Sequence, residues 1–369
     1  MARISYLTRI EFGVGEFERL PEYLSDLGIS KPLICTDEGL VSAGWGTKIN
    51  ALIPKSVIFD ATPANPTESA VMAAVEKYFN GGCDGIIGFG GGSSIDLAKG
   101  VRILTGHEPS LEQYAAINGG LSKIHGSIAP MVAVPTTAGT GSEVGRAAVI
   151  NMNSGRKLGV LSPFIMPTLA ICDPALTYGL PKGLTAATGM DAISHCLETF
   201  MAPAFNPPAE AIALHGLALG FKAITKAVDD GSNLVARRDM MVCALEGAMA
   251  FQKGLGAIHS LTHPLGAITD LNLHHGTLNA ILAPAVLRFN RESIGVKWHT
   301  LAQIMGGDPD RIMAELNSKI DIPPGLVALG VNKEMMERVA SDALMDHCHS
   351  TNPRIATRDQ YLQILNESA

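Results

Sequence analysis

Short apolar segments alternate with helical patterns over the first half of this 369-residue chain, and this alternation restricts the possible folds most strongly. Four apolar runs, each short enough for a buried strand, lie at residues 31–37, 56–59, 84–89 and 131–134. Residues 68–81, between two of these runs, have helical periodicity. Strands separated by helices pair in parallel, and the helices cover the sheet. The sequence therefore predicts an α/β domain with a parallel sheet over residues 1–180.

The strand signals end near residue 181, and helical patterns replace them. These helical segments are rich in alanine, leucine and methionine and have prolines at their boundaries: 184–201, 209–228, 235–254, 255–263 and 278–289. A chain of this length is too long for one compact core. We therefore predict a second, all-α domain over residues 181–369.

Composition and charge exclude several classes of partner. Hydrophobic residues make up 47% and charged residues 17% of the chain, which is typical of a well-buried enzyme. The net charge is −7, and no basic run is available to bind nucleic acid. No apolar signal core starts the chain, and no uninterrupted apolar stretch approaches eighteen residues. The six cysteines have no CxxC spacing, which favours reduced thiols. We expect a soluble, cytoplasmic protein without nucleic-acid or membrane partners.

Two glycine loops follow predicted strands. The first, Gly90 to Asp96, precedes a helix predicted to begin at about residue 95, with Ser93 and Asp96 in the spacing of a capping box. Its glycines would let the backbone approach a phosphate, whereas a plain capped turn is equally consistent with the triplet alone. The second loop, Pro135 to Glu143, repeats the capping pattern at Thr140. Neither loop is GxGxxG, but together they predict Rossmann-like binding of a nucleotide pyrophosphate.

Asp37 ends an early predicted strand and has two possible roles. A carboxylate there can accept hydrogen bonds from a ribose 2′-hydroxyl and would repel a 2′-phosphate, which favours NAD over NADP. A helix cap or turn is nearly as good an explanation.

Histidines and one aspartate form the strongest chemical pattern in the chain. Asp191 and His195 are four residues apart, as are His259 and His263, and that spacing puts two side chains on one face of a helix. His274 and His275 follow, just before a glycine. Asp191–His195 alone could be a simple helix salt bridge. The combination of pairs predicts a divalent metal site.

Imidazoles with one carboxylate suit Fe²⁺ or Zn²⁺, and the sequence does not separate the two. A metal with an open coordination position polarises an alcohol or carbonyl oxygen, which prepares the alcohol to release a hydride to NAD. No protein nucleophile is required.

Motifs along nearly the whole chain resemble the iron-containing (group III) alcohol dehydrogenase family. In order, they are Gly-Gly-Gly-Ser-Ser-Ile-Asp-Leu-Ala-Lys at 90–99, Pro-Thr-Thr-Ala-Gly-Thr-Gly-Ser-Glu at 135–143, Asp-Pro-Ala-Leu-Thr at 173–177, Thr-Gly-Met-Asp-Ala-Ile-Ser-His at 188–195, His-Ser-Leu-Thr-His-Pro-Leu-Gly at 259–266 and Thr-Asn-Pro-Arg at 351–354. The resemblance implies a dehydroquinate synthase-like architecture, with an N-terminal nucleotide-binding domain, a C-terminal helical domain and an active site in the cleft between them. It also implies a homodimer.

The resemblance assigns roles residue by residue. The implied metal ligands are Asp191, His195 and His259, and His263 is implied as a pocket histidine that acts in catalysis without binding metal. The implied dinucleotide contacts are Asp37, Gly91, Gly92, Ser93, Asp96, Thr136, Thr137, Thr140, Ser142 and Lys157.

The last metal ligand is where this chain departs from the family pattern. Many members have Pro-His-Gly there, whereas this chain has Leu-His-His-Gly at 273–276. Matching on the glycine assigns His275, with His274 as the alternative.

The resemblance predicts a metal-dependent enzyme that transfers a hydride between NAD(H) and a small alcohol or aldehyde. The same chemistry on a polyol or sugar-acid alcohol, as in 3-deoxy-octulosonate 8-oxidation, is the alternative. A non-catalytic metal- or nucleotide-binding module is the alternative from another class.

Overall fold

The structure, a computed structural model, describes residues 8–271 and 273–369. These residues form two compact units. One contains residues 8–137 and Ser142–Thr177, and the other contains Ala138–Gly141 and Tyr178–Ala369. The first unit is α/β and the second is helical, so the predicted fold class is confirmed.

The described strands of the α/β unit are, in chain order, β1 (Arg9–Phe12), β2 (Pro32–Cys35), β3 (Val57–Phe59), β4 (Gly85–Gly90), β5 (Met131–Pro135), β6 (Ala147–Asn151), β7 (Lys157–Leu161) and β8 (Leu169–Cys172). Six of them form a parallel sheet at the centre of the unit, in the order β1-β8-β5-β4-β2-β3. The other two, β6 and β7, form a separate antiparallel pair.

Both faces of the sheet are buried. Successive residues of a strand point to opposite faces, so neighbouring residues enter different core clusters. Leu33 and Ile86 lie in one core cluster, whereas their neighbours Ile34 and Ile87 lie in another. This arrangement explains why the strands are continuous apolar runs rather than alternating ones. The helices of this unit are α1 (Leu20–Asp26), α2 (Glu38–Ser42), α3 (Trp45–Leu52), α4 (Glu68–Asn80) and α5 (Gly92–Leu104).

Nine α-helices were found among the described residues of the helical unit. They are α6 (Lys182–Met201), α7 (Pro207–Asp229), α8 (Leu234–Met249), α9 (Ala257–Gly266), α10 (His275–Ile294), α11 (Val296–Met305), α12 (Pro309–Lys319), α13 (Lys333–Asp342) and α14 (Arg358–Glu367). Helix α6 packs against α7, α8 and α10. Because α6 contacts helices on several sides, nearly all its residues from Thr185 onward are buried.

Helix α7 is the one described helix long and apolar enough to cross a membrane, with a mean hydropathy of 1.3 over its best window. Buried residues make up 44% of that window, and the helix packs against both α6 and α8. Core helices of globular domains have the same length and composition, so these properties are weak support for a membrane span.

Candidate metal centre and nucleotide-binding loops

Helix α6 carries three acidic or imidazole side chains on one face. Asp191, His195 and Glu198 follow the i, i+4, i+7 spacing, and all three are at least 95% buried. The Oδ1 atom of Asp191 lies 3.4 Å from Nε2 of His195. The helix therefore presents a preformed aspartate–histidine pair in a water-poor environment.

Helix α9 adds His259 to this pair. Its Nε2 lies 3.9 Å from Oδ1 of Asp191, and its Nδ1 lies 2.6 Å from Oε2 of Glu198. Glu198 also accepts a hydrogen bond from the backbone N–H of Ile258, at 2.6 Å. Because the carboxylate of Glu198 occupies Nδ1, the ring of His259 is oriented with Nε2 toward Asp191.

Helix α10 brings His275 to the same oxygen, with Nε2 3.6 Å from Oδ1 of Asp191. Asn279, one turn later, donates a hydrogen bond from Nδ2 to that oxygen at 2.7 Å. A Cβ atom on Gly276 would lie 2.0 Å from the carbonyl oxygen of Ala187 on α6. Only glycine therefore allows this approach of the two helices. His274 is the exposed N-cap residue of α10.

Three imidazoles thus converge on one carboxylate oxygen of Asp191, and these four side chains together form a donor set suited to a divalent transition metal. An ion with bonds of about 2.1 Å holds its ligand atoms roughly 3.4 Å apart in tetrahedral geometry. The observed separations from Oδ1 of Asp191 are 3.4, 3.9 and 3.6 Å. Three imidazoles and one carboxylate suit Fe²⁺ or Zn²⁺. The residues present therefore fit the metal that the sequence analysis predicted.

The protonation equilibria of the metal-free cluster follow from burial and from these contacts. Burial alone would raise the pKa of Asp191, but the nearby imidazoles of His195, His259 and His275 hold it well below its usual value. Burial lowers the pKa of His195 to about 4, against the attraction of Asp191. Burial also opposes protonation of His259, but hydrogen bonds to Asp191 and Glu198 raise its pKa to about 9. The carboxylate of Asp191 is thus anionic and the imidazole of His195 neutral, which are the protonation states that metal binding requires.

His263, one turn after His259 on α9, has a different set of contacts. Its Nδ1 lies 2.8 Å from Oδ2 of Asp346, and its ring stacks on that of His275 with centroids 5.6 Å apart. Burial would raise the pKa of Asp346, but His263 and His347 hold it well below its usual value. The ring of His263 is therefore oriented by an ionised carboxylate, with Nδ1 occupied.

The first glycine loop differs from the prediction at its helix. Helix α5 begins at Gly92, and its N-cap residue is Gly91, without a side-chain hydrogen bond. The predicted capping box was wrong, because Ser93 donates to the carbonyl oxygen of Ala64 and Asp96 accepts from Ser142 and from the backbone N–H of Val149. The glycine cap lets the helix begin earlier than predicted. A helix N-terminus without a side-chain cap suits an anion.

The second glycine loop does not open a helix, so the capping pattern predicted for Thr140 and Glu143 was also wrong. A short turn follows the loop and leads into β6. The loop instead lies beside the first one. The backbone N–H of Thr136 donates to the carbonyl oxygen of Gly90 at 2.9 Å, and a Cβ atom on Gly91 would lie 3.4 Å from the Thr137 methyl group. These contacts fix the backbone where a phosphate would have to approach.

The remaining predicted nucleotide residues are held by contacts within the protein. Asp37 caps α2, because its Oδ1 accepts the backbone N–H of Leu40 at 3.0 Å. The structure therefore gives Asp37 the cap geometry that was the alternative interpretation. The Nζ atom of Lys157 donates to Oδ1 of Asn65 at 2.9 Å, and burial lowers the pKa of Lys157 against the attraction of Asp96.

Ser142 and Asp96 form one hydrogen-bond network with Lys99. Lys99 is fully buried, and its Nζ donates to Oγ of Ser142 at 2.7 Å and to the carbonyl oxygen of Ala147 at 2.6 Å. Ser142 in turn donates to Asp96. This network joins α5 to the end of the second loop and to the start of β6.

Sequence reasoning missed four residues that orient the candidate site. Glu198 had a detectable signal, because it extends the Asp191–His195 face by another turn, and Asn279 lies one turn after His275. Asn65 follows a predicted strand in a turn rich in proline. Asp346 is far from His263 in the sequence and had no local signal.

Known proteins are similar to this chain over nearly its whole length. A family model described as "Iron-containing alcohol dehydrogenase" matches residues 8–174, and its C-terminal counterpart matches residues 185–369. The chain is 49% identical to 4-hydroxybutyrate dehydrogenase of Cupriavidus necator over the full length of both. It is 34% identical to 1,3-propanediol dehydrogenase of Citrobacter freundii, covering 97% of this chain and 96% of the relative. The solved structure of an alcohol dehydrogenase from Oenococcus oeni has a TM-score of 0.94 at 30% identity, with both chains fully covered.

Proposed function

We propose that this chain, which belongs to the iron-containing alcohol dehydrogenase family, interconverts a short hydroxy acid and its aldehyde acid with NAD(H). The family resemblance predicted from the motifs is confirmed. The enzyme is a metal-dependent oxidoreductase that transfers a hydride between NAD(H) and an alcohol–aldehyde pair. The observation that carries the proposal is the convergence of three imidazole Nε2 atoms on Oδ1 of Asp191.

The substrate class rests on the relative named 4-hydroxybutyrate dehydrogenase. Its identity of 49% extends over the whole chain, against 34% for the relative named 1,3-propanediol dehydrogenase. The substrate we propose is therefore 4-hydroxybutyrate or a hydroxy acid of similar length. A polyol or sugar-acid alcohol remains the alternative for the same chemistry.

In this proposal, Asp191, His195, His259 and His275 hold a divalent iron, and zinc suits the same donors. When bound, the ion polarises the substrate oxygen and lowers the pKa of the alcohol. The chain's own contribution is to keep the donors in position. Asn279 orients the Asp191 carboxylate through its 2.7 Å hydrogen bond.

His263 is the residue that we propose acts in catalysis without binding metal. Asp346 holds its Nδ1 at 2.8 Å, which leaves Nε2 as the atom that can meet the substrate. In the direction of alcohol oxidation, Nε2 would accept the proton that the substrate hydroxyl gives up, and in the reverse direction it would return it. Stacking on His275 restricts the ring's orientation.

For the nucleotide, we propose that residues 1–180 form the dinucleotide-binding domain and residues 181–369 the metal and substrate domain. Gly91, Gly92 and Ser93 would bind the pyrophosphate through the N-terminus of α5. The further contacts to the dinucleotide that we propose are Thr136, Thr137, Thr140 and Lys157. We propose that Asp37 contacts the adenosine ribose. Asp96 and Ser142 would act mainly by fixing the two loops, since their side chains bond to each other.

We also propose that the enzyme is a homodimer in the cytoplasm. Both statements rest on the family resemblance. Size-exclusion chromatography with light scattering tests the dimer directly.

The deciding experiment combines metal analysis with a substrate screen. Protein purified anaerobically is expected to contain about one iron per chain and to reduce NAD with 4-hydroxybutyrate faster than with ethanol, 1,3-propanediol or sugar acids. Asp191→Ala is expected to lose the metal and the activity while circular dichroism shows its helices intact. Full activity of that variant in demonstrably metal-free form would refute metal catalysis, and a preference for a sugar acid would refute the proposed substrate.

A further inference from the structure

We propose a second metal-binding site, formed by His263, Asp346, His347 and Cys348, at which zinc inhibits the enzyme. The four residues lie in the helical unit, next to the candidate metal centre but sharing no ligand with it. The binding itself is independent of the proposed function. The inhibition rests on the proposed catalytic role of His263.

The geometry brings one donor atom from each of the four residues within 4.8 Å of all the others. Nδ1 of His263 is 2.8 Å from Oδ2 of Asp346, and Nδ1 of His347 is 3.7 Å from Oδ1 of the same carboxylate. Sγ of Cys348 is 3.4 Å from Nε2 of His347. The rings of His263 and His347 stack with centroids 5.5 Å apart. Small side-chain rotations would bring these donors to the spacing around a tetrahedral ion.

The donor chemistry selects a borderline-soft ion. Two imidazole nitrogens, one carboxylate and one thiol form a set that zinc favours, whereas the candidate metal centre offers no sulfur. When Cys348 binds as a thiolate and Asp346 as a carboxylate, the set carries two negative charges, which balance those of Zn²⁺. The thiol proton is released to solvent as the zinc–sulfur bond forms.

The exposure of His347 explains how an ion could reach this site. The side chain of His347 is 62% exposed, whereas Asp346 is 13% and Cys348 only 1% exposed. His347 can therefore meet an ion in solution and deliver it to the three deeper donors. At the first site, Asp191, His195 and His259 are all at least 96% buried, and the side chain of His275 is 31% exposed, about half the exposure of His347.

Inhibition follows because His263 belongs to the second site. An ion bound at Nδ1 would replace the hydrogen bond to Asp346 and hold the ring away from its catalytic orientation. The effect is reversible, since Cys348 regains its proton from solvent when the ion leaves. Removal of the ion restores the contact between His263 and Asp346.

The direct test uses Co²⁺ as a spectroscopic probe with the full-length Asp191→Ala variant, which lacks the first site. Cobalt bound to a thiolate absorbs in the near ultraviolet, and cobalt bound only to nitrogen and oxygen lacks that charge-transfer band. We expect the band at one Co²⁺ per chain and its loss in the additional Cys348→Ser variant. His347→Ala is expected to weaken binding at least about tenfold, because it removes a ligand. Absence of the band at saturating Co²⁺ would refute the site.

The functional test uses the iron-loaded enzyme and added Zn²⁺, with iron release measured in parallel. His347→Ala is expected to keep its basal activity and to need at least about ten times more zinc for half-inhibition. The matched control is His299→Ala, another exposed histidine of this unit, which should behave like the unmodified enzyme. Equal zinc sensitivity of both variants, or inhibition that requires loss of iron, would refute inhibition at this site. A protein inactive even without zinc would refute the proposed function alone, since the cobalt band would still report binding.

Discussion

Glu198 is the residue whose replacement tests the candidate metal centre most directly, because we expect it to bind no metal itself. Its carboxylate is fully buried and accepts the backbone N–H of Ile258 and Nδ1–H of His259, both at 2.6 Å. Glu198→Gln keeps the shape but converts one oxygen into an NH₂ group. That group must face one of the two N–H donors, so one donor loses its acceptor. The ring of His259 also loses the charge that fixes it.

The magnitude follows from the type of contact. Loss of a carboxylate that orients a metal-binding histidine weakens metal binding by about 10- to 100-fold, or roughly 1.4 to 2.8 kcal/mol. A buried donor without a partner costs about 1–3 kcal/mol of folding stability. We therefore expect both weaker metal binding and a lower melting temperature of the metal-free protein.

The assay is a competition between the protein and a chelator of known affinity, with the metal-free protein checked by circular dichroism. Glu210→Gln is the matched control, because Glu210 also accepts from a buried partner, Lys253, in the same unit, and its other ion-pair partner is Lys297 rather than a predicted metal ligand. The control should lose stability and keep its metal affinity. Metal affinity equal to that of the unmodified protein in a folded Glu198→Gln variant would refute this account of His259.

Three further changes test other parts of the chain. Asp37→Gly should narrow the preference for NAD over NADP by about tenfold, measured as the ratio of the kcat/KM values for the two cofactors. The lost helix cap should lower the free energy of unfolding by only a few tenths of a kcal/mol, and an unchanged ratio would exclude the ribose contact. Burial raises the pKa of Glu143 to about 7, against the attraction of Lys99. Because the folded state holds the proton of Glu143 more tightly than the unfolded state does, the contribution of this carboxyl group to folding stability falls as the pH rises from about 4.5 to 7. Glu143→Gln should remove that dependence in denaturant titrations across this pH range, and identical profiles would contradict the assignment. Gly141 has a φ of 61°, and a Cβ atom there would lie 2.2 Å from Cβ of Ala248. Gly141→Ala should therefore destabilise the folded protein by at least about 2 kcal/mol, and an unchanged melting temperature would contradict this packing.

The parts of the fold that the sequence predicted are those with a strong local signal. Strands β2, β4 and β5 are apolar runs that begin at or next to glycine or proline, and they lie inside the sheet, whereas β3 is a short apolar run at its edge. Strands β1 and β8 were not predicted. The β1 segment Arg9–Phe12 contains an arginine and a glutamate, and it lies at the sheet edge, where all four of its residues are exposed or half-buried. Its pairing with Leu169–Cys172 depends on residues about 160 positions away in the chain, which no local pattern encodes.

The errors at the two glycine loops have a common physical reason. Ser93 and Thr140 were assigned as caps from the spacing to a following acidic residue. Glycine at position 91 instead supplies the N-cap of α5, and Asp96 is used by Ser142 and Val149 across the unit. A capping box competes with every other donor that the fold brings to the acidic residue. The spacing alone cannot show which donor forms the bond.

The candidate metal centre depends both on local sequence spacing and on contacts between residues far apart in the chain. The i, i+4 spacing identifies Asp191 with His195 because both lie on one helix, and it cannot distinguish His259 from His263 because both lie on another. Glu198 makes the distinction, since its hydrogen bond to Nδ1 turns Nε2 of His259 toward Asp191, whereas Asp346 holds Nδ1 of His263. Two histidines with equivalent sequence spacing therefore differ through the carboxylate that each one meets. A search for the ligands of such a site should look first for the buried carboxylate behind each histidine.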